Sequence, residues 1–315
     1  MAQKGSRSVF RKLLVIVGVL ILLGAIAVGI AQWMGSQGQG PGAPSNNGEG
    51  PGNPEQPADC PSVEVIAVPG TGESSTSDDP LHPTQFPNAL LQGVTGPLTQ
   101  NNDSSSVKVW TANYPAQMKT LATLDQMNYA DSVNEGIRIV NAELSATRDH
   151  CPATKFVIMG FSQGAAIAGD VASDIGNNRG VVPSDTVAGV TALADPRRMT
   201  GEGQTVGAQP KGVGSEIALQ PFAAVLGNVV PGFTPRGPRS GGMGDLNDRV
   251  NEICAPGDAV CDMPTSLKVE PENVDALFTG NSLHIQYGTN PNVIEGTTSI
   301  AWMLQWAQGL INNNT

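Results

Sequence analysis

The sequence contains few charged residues and very few histidines. Of its 315 residues, 14% are charged, 4% are aromatic and only three are histidine. Acidic residues (28) outnumber basic ones (17), and the net charge of −11 argues against nucleic-acid binding, because such a surface repels phosphate backbones. The four cysteines form neither a CxxC motif nor a cluster with histidine, which argues against a metal site. We therefore expect no metal and no other cofactor.

An apolar run lies close to the N-terminus. Leu13 to Ala31 are 19 consecutive uncharged residues, which as a helix would extend about 28 Å, close to the hydrocarbon thickness of a bilayer. Four basic residues precede this run, and no acidic residue occurs before Glu49. This pattern predicts a cytoplasmic segment at 1–12, a single-pass transmembrane helix at 13–32 and an extracytoplasmic remainder in the cell membrane. A signal peptide cleaved near Ala25-Ile26-Ala27, which would release a secreted protein, is the alternative.

All four cysteines follow the apolar run, and an even number of cysteines in an exported chain predicts two disulfides. Cys254 and Cys261 are close enough in sequence to close one loop. Cys60 and Cys151 would then join the start of the folded domain to its middle.

The exported part divides into a linker and one domain. Residues 33–59 are rich in Gly, Pro and Asn without aliphatic periodicity, which is typical of a flexible linker. Within 60–315, continuously apolar segments alternate with segments of helical periodicity, which predicts an α/β domain whose mostly parallel sheet has helices on both faces. The predicted strands are 63–68, 107–111, 155–159 and 187–193, and the predicted helices are 125–147, 163–175 and 298–312.

One long stretch breaks this alternation. Residues 197–247 contain 11 glycines and 5 prolines, with a modest apolar patch from Ile217 to Val230. A connection of this length is usually functional or mobile. Because it follows the C-terminal end of a strand, where ligands bind in open α/β sheets, we expect it to border the substrate groove.

A five-residue motif predicts a nucleophile. Gly160-Phe161-Ser162-Gln163-Gly164 matches the pattern G-x-S-x-G, a strand precedes it directly, and a helix of small residues follows it directly. In that context the chain turns sharply, and side chains at positions 160 and 164 would collide with the neighbouring strand or helix, which explains the two glycines. Ser162 is therefore the predicted nucleophile. A glycine-rich turn that happens to contain a serine is the alternative.

A nucleophilic serine needs a base, and the chain offers three histidines. His150 lies at the opposite end of the strand that delivers Ser162, so it is too distant. His82 precedes the nucleophile in sequence and is better explained by a loop or packing role. In this fold class the order is serine, acid, histidine, and His284 is therefore the predicted base.

The carboxylate that orients the base must lie between the nucleophile and the histidine. Asp258 is preferred, because a loop closed by its own disulfide would hold it rigidly, and Asp195, at the end of the fourth strand, is the alternative. Acyl transfer also needs two donors for a negatively charged oxygen. The N–H of Gln163, directly after the nucleophile, and Thr71, in the loop after the first strand, are the predicted oxyanion donors.

These residues resemble the cutinase family, in particular the membrane-anchored cutinase-like lipases of mycolic-acid-containing actinobacteria. The similarity spans about 60–312 and rests on VPGTGES at 68–74, CPATKFVIMGFSQGAAIAGD at 151–170, ICAPGDAVCD at 253–262 and the late histidine. It implies a cutinase-like α/β-hydrolase with little lid. The roles that it implies are Ser162 as nucleophile, Asp258 as acid, His284 as base, Thr71 and Gln163 as oxyanion donors, and disulfides Cys60–Cys151 and Cys254–Cys261.

The resemblance also implies a function. It predicts a monomeric serine esterase or lipase that hydrolyses carboxylic esters of cell-envelope acyl lipids, with phospholipase or thioesterase activity as variants. Two alternatives stay open: an acyltransferase that uses the same triad with a sugar or lipid hydroxyl as acceptor, and a non-catalytic envelope-binding protein on a hydrolase fold. The chain departs from small secreted cutinases in its predicted anchor, which argues against plant cutin as substrate, and in its insert at 197–247.

Overall fold

The computed structural model describes residues 56–120, 123–224, 226, 232–265 and 282–315. The predicted cytoplasmic segment, the transmembrane helix and most of the linker lie outside these residues. Within the described ranges, no helix combines the length and the hydropathy needed to cross a membrane.

A parallel sheet forms the centre of the domain. In the described residues its strands are β1 (Val63–Val68), β2 (Val107–Thr111), β3 (Lys155–Phe161), β4 (Val187–Leu193), β5 (Gln204–Thr205) and β6 (Val250–Ile253). They follow the order β2-β1-β3-β4-β6-β5, and every neighbouring pair is parallel. This confirms the predicted sheet and all four predicted strands; the two short strands β5 and β6 were not predicted.

Helices cover both faces of the sheet, as predicted. The helices in the described residues are α1 (Gln92–Asn101), α2 (Tyr129–His150), α3 (Gln163–Gly176), α4 (Ser215–Ala218) and α5 (Ser299–Asn314). One core lies between the sheet and α2 with α3, and the other lies between the sheet and α1 with α5. Alternate residues of β1 supply the two cores: Val65 and Ala67 face α1 and α5, whereas Ile66 and Val68 face α2 and α3.

Three helices differ from the sequence prediction: α1 and the four-residue α4 were not predicted, and α2 begins later than predicted. Helix α1 was not predicted, because Pro97 and two glycines interrupt its pattern, yet Val94 and Leu98 are fully buried against the sheet. Helix α2 begins four residues later than predicted, because Asn128, at the N-cap position, still has an extended backbone (φ −60°, ψ 147°).

Both predicted disulfides are present. Cys60–Cys151 joins the residues before β1 to the end of α2 across 91 positions, and Cys254–Cys261 closes a short loop directly after β6. The first bond fixes the start of the domain, and the second fixes the loop that contains Asp258.

The 197–247 insert contains β5, α4 and short 3₁₀ turns, and buried ion pairs anchor it to α3. Asp170 on α3 accepts hydrogen bonds from Arg197 (2.7 Å), Arg236 (2.5 Å) and Arg239 (2.8 Å). Burial raises the pKa of Asp170, but the three guanidinium groups outweigh it and hold that pKa below its usual value. The described part of the insert is therefore fixed to the helix that follows the G-x-S-x-G motif.

Glu64 is the polar exception in an otherwise apolar strand. It is fully buried in β1, and the Lys108 ammonium lies 3.0 Å from its Oε1 and also pairs with Glu143. Burial raises the pKa of Glu64 to about 7, although Lys108 opposes the shift. Between about pH 4.5 and pH 7, the folded protein therefore keeps a proton on Glu64 that the unfolded chain has already released.

This proton makes stability depend on pH. Between about pH 4.5 and pH 7 the folded state binds more protons, so the free energy of unfolding falls as pH rises, by up to about 3 kcal/mol. Glu64→Gln should remove this loss, so the melting temperature of the variant should fall less between pH 5 and pH 8 than that of the wild type. Glu135→Gln is the control: this half-buried glutamate on α2 pairs with Arg138, which lowers its pKa, so the variant should follow the wild type above pH 5. Parallel curves for wild type and Glu64→Gln would contradict the prediction.

Candidate active site

Ser162 lies at a sharp turn between β3 and α3. Its backbone has φ 55° and ψ −119°, a strained conformation for a residue with a side chain. A Cβ at Gly160 would collide with the backbone at Gly164, and a Cβ at Gly164 would collide with the carbonyls of Val68 and Pro69. The two glycines of the motif are therefore required by close backbone contacts, as expected for a nucleophile elbow.

Ser162, His284 and Asp258 form one chain of hydrogen bonds. His284 Nε2 lies 2.8 Å from Ser162 Oγ, and His284 Nδ1 lies 2.9 Å from Asp258 Oδ2. The three residues come from the turn after β3, the loop after β6 and a 3₁₀ turn at Ser282–Ile285. The structure thus brings together the predicted nucleophile, acid and base over 122 positions of sequence.

Asp258 is fully buried and has several donors. Its Oδ1 accepts from the N–H of Val260 (2.9 Å), and its Oδ2 accepts from the Tyr287 hydroxyl (2.6 Å) as well as from His284. Burial raises the pKa of Asp258, but the hydrogen bonds from His284, Tyr287 and Val260 outweigh it and keep the pKa below its usual value. The carboxylate therefore stays ionised where it faces the imidazole.

Tyr287 is a site residue that the sequence analysis missed. It is fully buried, donates to Asp258, and accepts from the N–H of Ala255 at 2.9 Å, so it links the acid to its own loop. Its position three residues after His284 is the only sequence signal. A tyrosine at that position could equally belong to the core.

The Phe161 ring packs against the imidazole of His284. Its ring stacks on His284 with centroids 5.1 Å apart and an interplanar angle of 25°, and it meets the ring of Tyr287 edge-on at 6.2 Å. The residue before the nucleophile thereby sets the plane of the histidine that faces it.

The alternative residues lie elsewhere. His150 is exposed and faces Asp59 at 3.1 Å, and His82 is exposed and faces Asp79 at 3.4 Å. Asp195 is buried, but its Oδ2 accepts from the Arg239 guanidinium at 2.6 Å, so it belongs to the ion pairs that hold the insert.

The two predicted oxyanion donors lie in different local structures, one at the start of a helix and the other in a loop. Gln163 is the first residue of α3, where helical N–H groups have no partner within the helix, and its side chain is buried. Thr71 is exposed in the loop after β1, and the Glu73 carboxylate holds that loop by accepting from Gly70 N–H and Leu90 N–H, both at 3.0 Å. Burial raises the pKa of Glu73, and the two N–H groups and His284 oppose the shift.

This arrangement can activate a hydroxyl. An imidazole whose Nδ1 donates to a buried carboxylate presents the lone pair of Nε2 to the serine oxygen, which is the geometry for proton removal and nucleophilic attack. Among the described residues, the only cluster with metal-ligand spacing is Cys60, His150 and Cys151, and both of its cysteines form a disulfide.

Comparison with known proteins identifies the family. The model of the cutinase family matches residues 59–290. The chain is 46% identical over 309 residues to the carboxylesterase Culp6 homolog of Corynebacterium glutamicum, which covers 96% of this chain and 99% of that protein. The chain belongs to the cutinase family. The resemblance in the sequence motifs is thereby confirmed.

Two further comparisons are more limited. The cutinase-family chain is 36% identical over 72 residues to the probable carboxylesterase Culp7 of Mycobacterium tuberculosis, or 23% of this chain and 36% of that protein. The solved catalytic core domain of acetyl xylan esterase from Trichoderma reesei superimposes with a TM-score of 0.50 at 17% identity, over 81% of this chain and 100% of that one. The second similarity shows a shared fold.

Of the two disulfides of this cutinase-family chain, Cys60–Cys151 should contribute more to stability and Cys254–Cys261 should contribute more to activity. Removing Cys60–Cys151 by two Cys→Ala substitutions opens a long loop and should cost about 4–5 kcal/mol, whereas removing Cys254–Cys261 should cost about 2–3 kcal/mol. Because only the second bond fixes the loop of Asp258, its loss should lower kcat about 10-fold or more, and loss of the first should leave kcat within 2-fold. Denaturant unfolding and ester hydrolysis well below the melting temperatures would measure both, and equal losses of kcat would contradict the prediction.

Proposed function

We propose that this chain is a serine carboxylesterase that hydrolyses acyl esters through a Ser162–His284–Asp258 triad. The observation that carries the proposal is the continuous pair of hydrogen bonds, 2.8 Å and 2.9 Å, that joins the three side chains. Membership of the cutinase family and similarity to a carboxylesterase over nearly the whole chain support ester hydrolysis as the reaction.

In the first half of the reaction, His284 Nε2 removes the proton of Ser162 as its Oγ attacks the acyl carbon. The positive charge that forms on the imidazole is stabilised by the ionised Asp258. The carbonyl oxygen becomes negative and is bound by the N–H of Gln163 and by Thr71. His284 then gives the proton to the departing alcohol, which leaves an acyl-enzyme on Ser162.

In the second half, water attacks the acyl-enzyme. His284 removes a proton from the water, the same donors stabilise the second negatively charged intermediate, and the returned proton restores the Ser162 hydroxyl as the acid leaves. The residues named supply every proton transfer, so no cofactor enters the proposed mechanism.

The proposed substrates are acyl lipids outside the cytoplasmic membrane. The support is the sequence: a basic segment and an apolar run of 19 residues at the N-terminus, followed by a Gly/Pro-rich linker that would keep the domain close to the bilayer. We also propose that the insert borders the acyl groove, because it follows the C-terminal end of β4 and is anchored to α3, the helix that begins after Ser162.

Labelling with a fluorophosphonate tests the nucleophile. The wild type should react covalently and hydrolyse short-chain esters, and Ser162→Ala should lose both the labelling and at least about 10⁴-fold in kcat, because no other group can form the acyl-enzyme. Ser173→Ala, which changes another buried serine, on α3, is the matched control and should retain both. A folded wild type that is not labelled would refute the proposal and favour a non-catalytic envelope-binding protein.

Product analysis separates hydrolysis from acyl transfer. With a lipid ester and no acceptor, a hydrolase releases free acid at its full rate. If free acid forms only slowly and a sugar or lipid alcohol restores turnover with a new ester as product, the same triad serves an acyltransferase and the hydrolase proposal is wrong.

A further inference from the structure

One short segment contacts the surroundings of both proposed oxyanion donors. Residues 112–117, here called the bracket segment, follow β2 and lead towards α2. Ala112, Tyr114 and Ala116 in this segment are each no more than 1% exposed. Neither the motifs nor the triad includes any of these residues.

On one side, the bracket segment holds the loop of Thr71 at three points. The Tyr114 hydroxyl donates to the carbonyl of Pro69 at 2.7 Å. The N–H of Gly72 donates to the carbonyl of Ala116 at 2.7 Å. The Ser74 hydroxyl donates to the carbonyl of Ala112, also at 2.7 Å. The backbone on both sides of Thr71 is therefore tied to the same short segment.

On the other side, the bracket segment holds the side chain of Gln163. Gln163 Nε2 donates to the carbonyl of Gln117 at 3.0 Å. The Ser132 hydroxyl, on α2, accepts from the N–H of Gln117 at 3.0 Å and donates to Gln163 Oε1 at 2.9 Å. Both ends of the Gln163 amide are thus fixed, directly or through Ser132, to the backbone of Gln117.

The backbone between these two sets of contacts is itself constrained. Ala116 has φ 50°, a conformation that a residue with a Cβ rarely adopts, and the surrounding hydrogen bonds maintain it. Ala116 is adjacent to Gln117, so the contact with the Thr71 loop and the contact with Gln163 are one peptide apart.

We propose that the bracket segment sets the separation between the oxyanion donors at Thr71 and Gln163. The inference rests on the proposed function, because donors matter only if an oxyanion forms. Donors stabilise the transition state only when they are already aimed at the position that the oxyanion will occupy, and small displacements lower the rate. Tyr114 and Ser132 are accordingly positioning residues: each acts through a donor and neither touches the substrate.

Removing one hydroxyl at each side of the bracket segment tests the proposal. Tyr114→Phe deletes the contact with Pro69, and Ser132→Ala deletes the contacts with Gln117 and Gln163. Each variant of the full-length protein should lose about 10-fold in kcat on an oxygen ester with KM changed less than 2-fold, because a displaced donor weakens binding of the transition state more than binding of the substrate.

The matched controls make the same two substitutions, Tyr→Phe and Ser→Ala, at buried residues whose hydroxyls do not contact the oxyanion donors or the bracket segment. Tyr129→Phe removes a buried hydroxyl that donates to Glu216, and Ser173→Ala removes one that donates to Gly242. Both controls should keep kcat within 2-fold of the wild type, even where the melting temperature falls. Melting temperatures of all four variants establish that they fold, and if one of the two test variants does not fold, the other decides the result.

Thionoesters separate positioning from general loosening. Sulfur is larger and a weaker hydrogen-bond acceptor than oxygen, so donors placed for an oxyanion favour the oxygen ester. In Tyr114→Phe and Ser132→Ala the ratio of kcat for the oxygen ester to kcat for the matched thionoester should fall several-fold, and in the controls it should stay at the wild-type value.

The outcomes distinguish the two proposals. If the wild type hydrolyses esters but both test variants keep kcat within 2-fold and an unchanged ratio, the bracket segment does not position the donors, and the proposed function stands. A lower kcat with an unchanged ratio also overturns the positioning role, since it indicates general loosening. A wild type without esterase activity overturns both.

Discussion

The close approach between the start of α3 and the end of β1 is the constraint on which the site depends. Gly164 packs directly against the carbonyls of Val68 and Pro69, and this contact leaves no space for a side chain. Because Pro69 begins the loop of Thr71 and Gly164 follows Gln163, the same contact brings the two proposed donors to one edge of the sheet. The strained turn at Ser162 is the consequence, since β3 must reverse into α3 over a single residue.

Arginine side chains and a backbone bridge link the 197–247 insert to the elements that form the same site. Arg198 donates to the carbonyl of Cys261 at 2.8 Å, and Val213 pairs with Met263 across an antiparallel bridge. These contacts attach the insert to the loop that contains Asp258, while Asp170 attaches it to α3. Buried ion pairs of this kind add little net stability, but loss of one partner leaves an uncompensated charge, so they fix one arrangement of the two elements.

The sequence predicts the parts of this structure that depend on local pattern. The four longer strands are mostly apolar and β-branched despite Glu64 and Lys108, and the elbow combines a motif with a strand and a helix, so both could be recognised without coordinates. Strand β6 has only four residues, two of them polar, and α1 contains a proline, so neither has a clear period. Tyr287 could not be predicted, because its role depends on a contact with Asp258 across 29 positions of sequence. The bracket segment was missed because it acts mainly through backbone carbonyls, whose partners no side-chain pattern records.

The burial of each residue in the site depends on whether it contacts only protein groups or also substrate and water. Asp258 contacts only the protein, so it can be fully buried, provided that donors replace the lost water; Tyr287 and Val260 supply them. The side chain of His284 is 18% exposed, because it must exchange protons with substrate and water. Glu73 is a second carboxylate near the imidazole, and its pKa is raised chiefly by burial. Each carboxylate also accepts a hydrogen bond from a backbone N–H of its own loop, Gly70 for Glu73 and Val260 for Asp258, so the two carboxyl groups near His284 also hold the loops around the nucleophile.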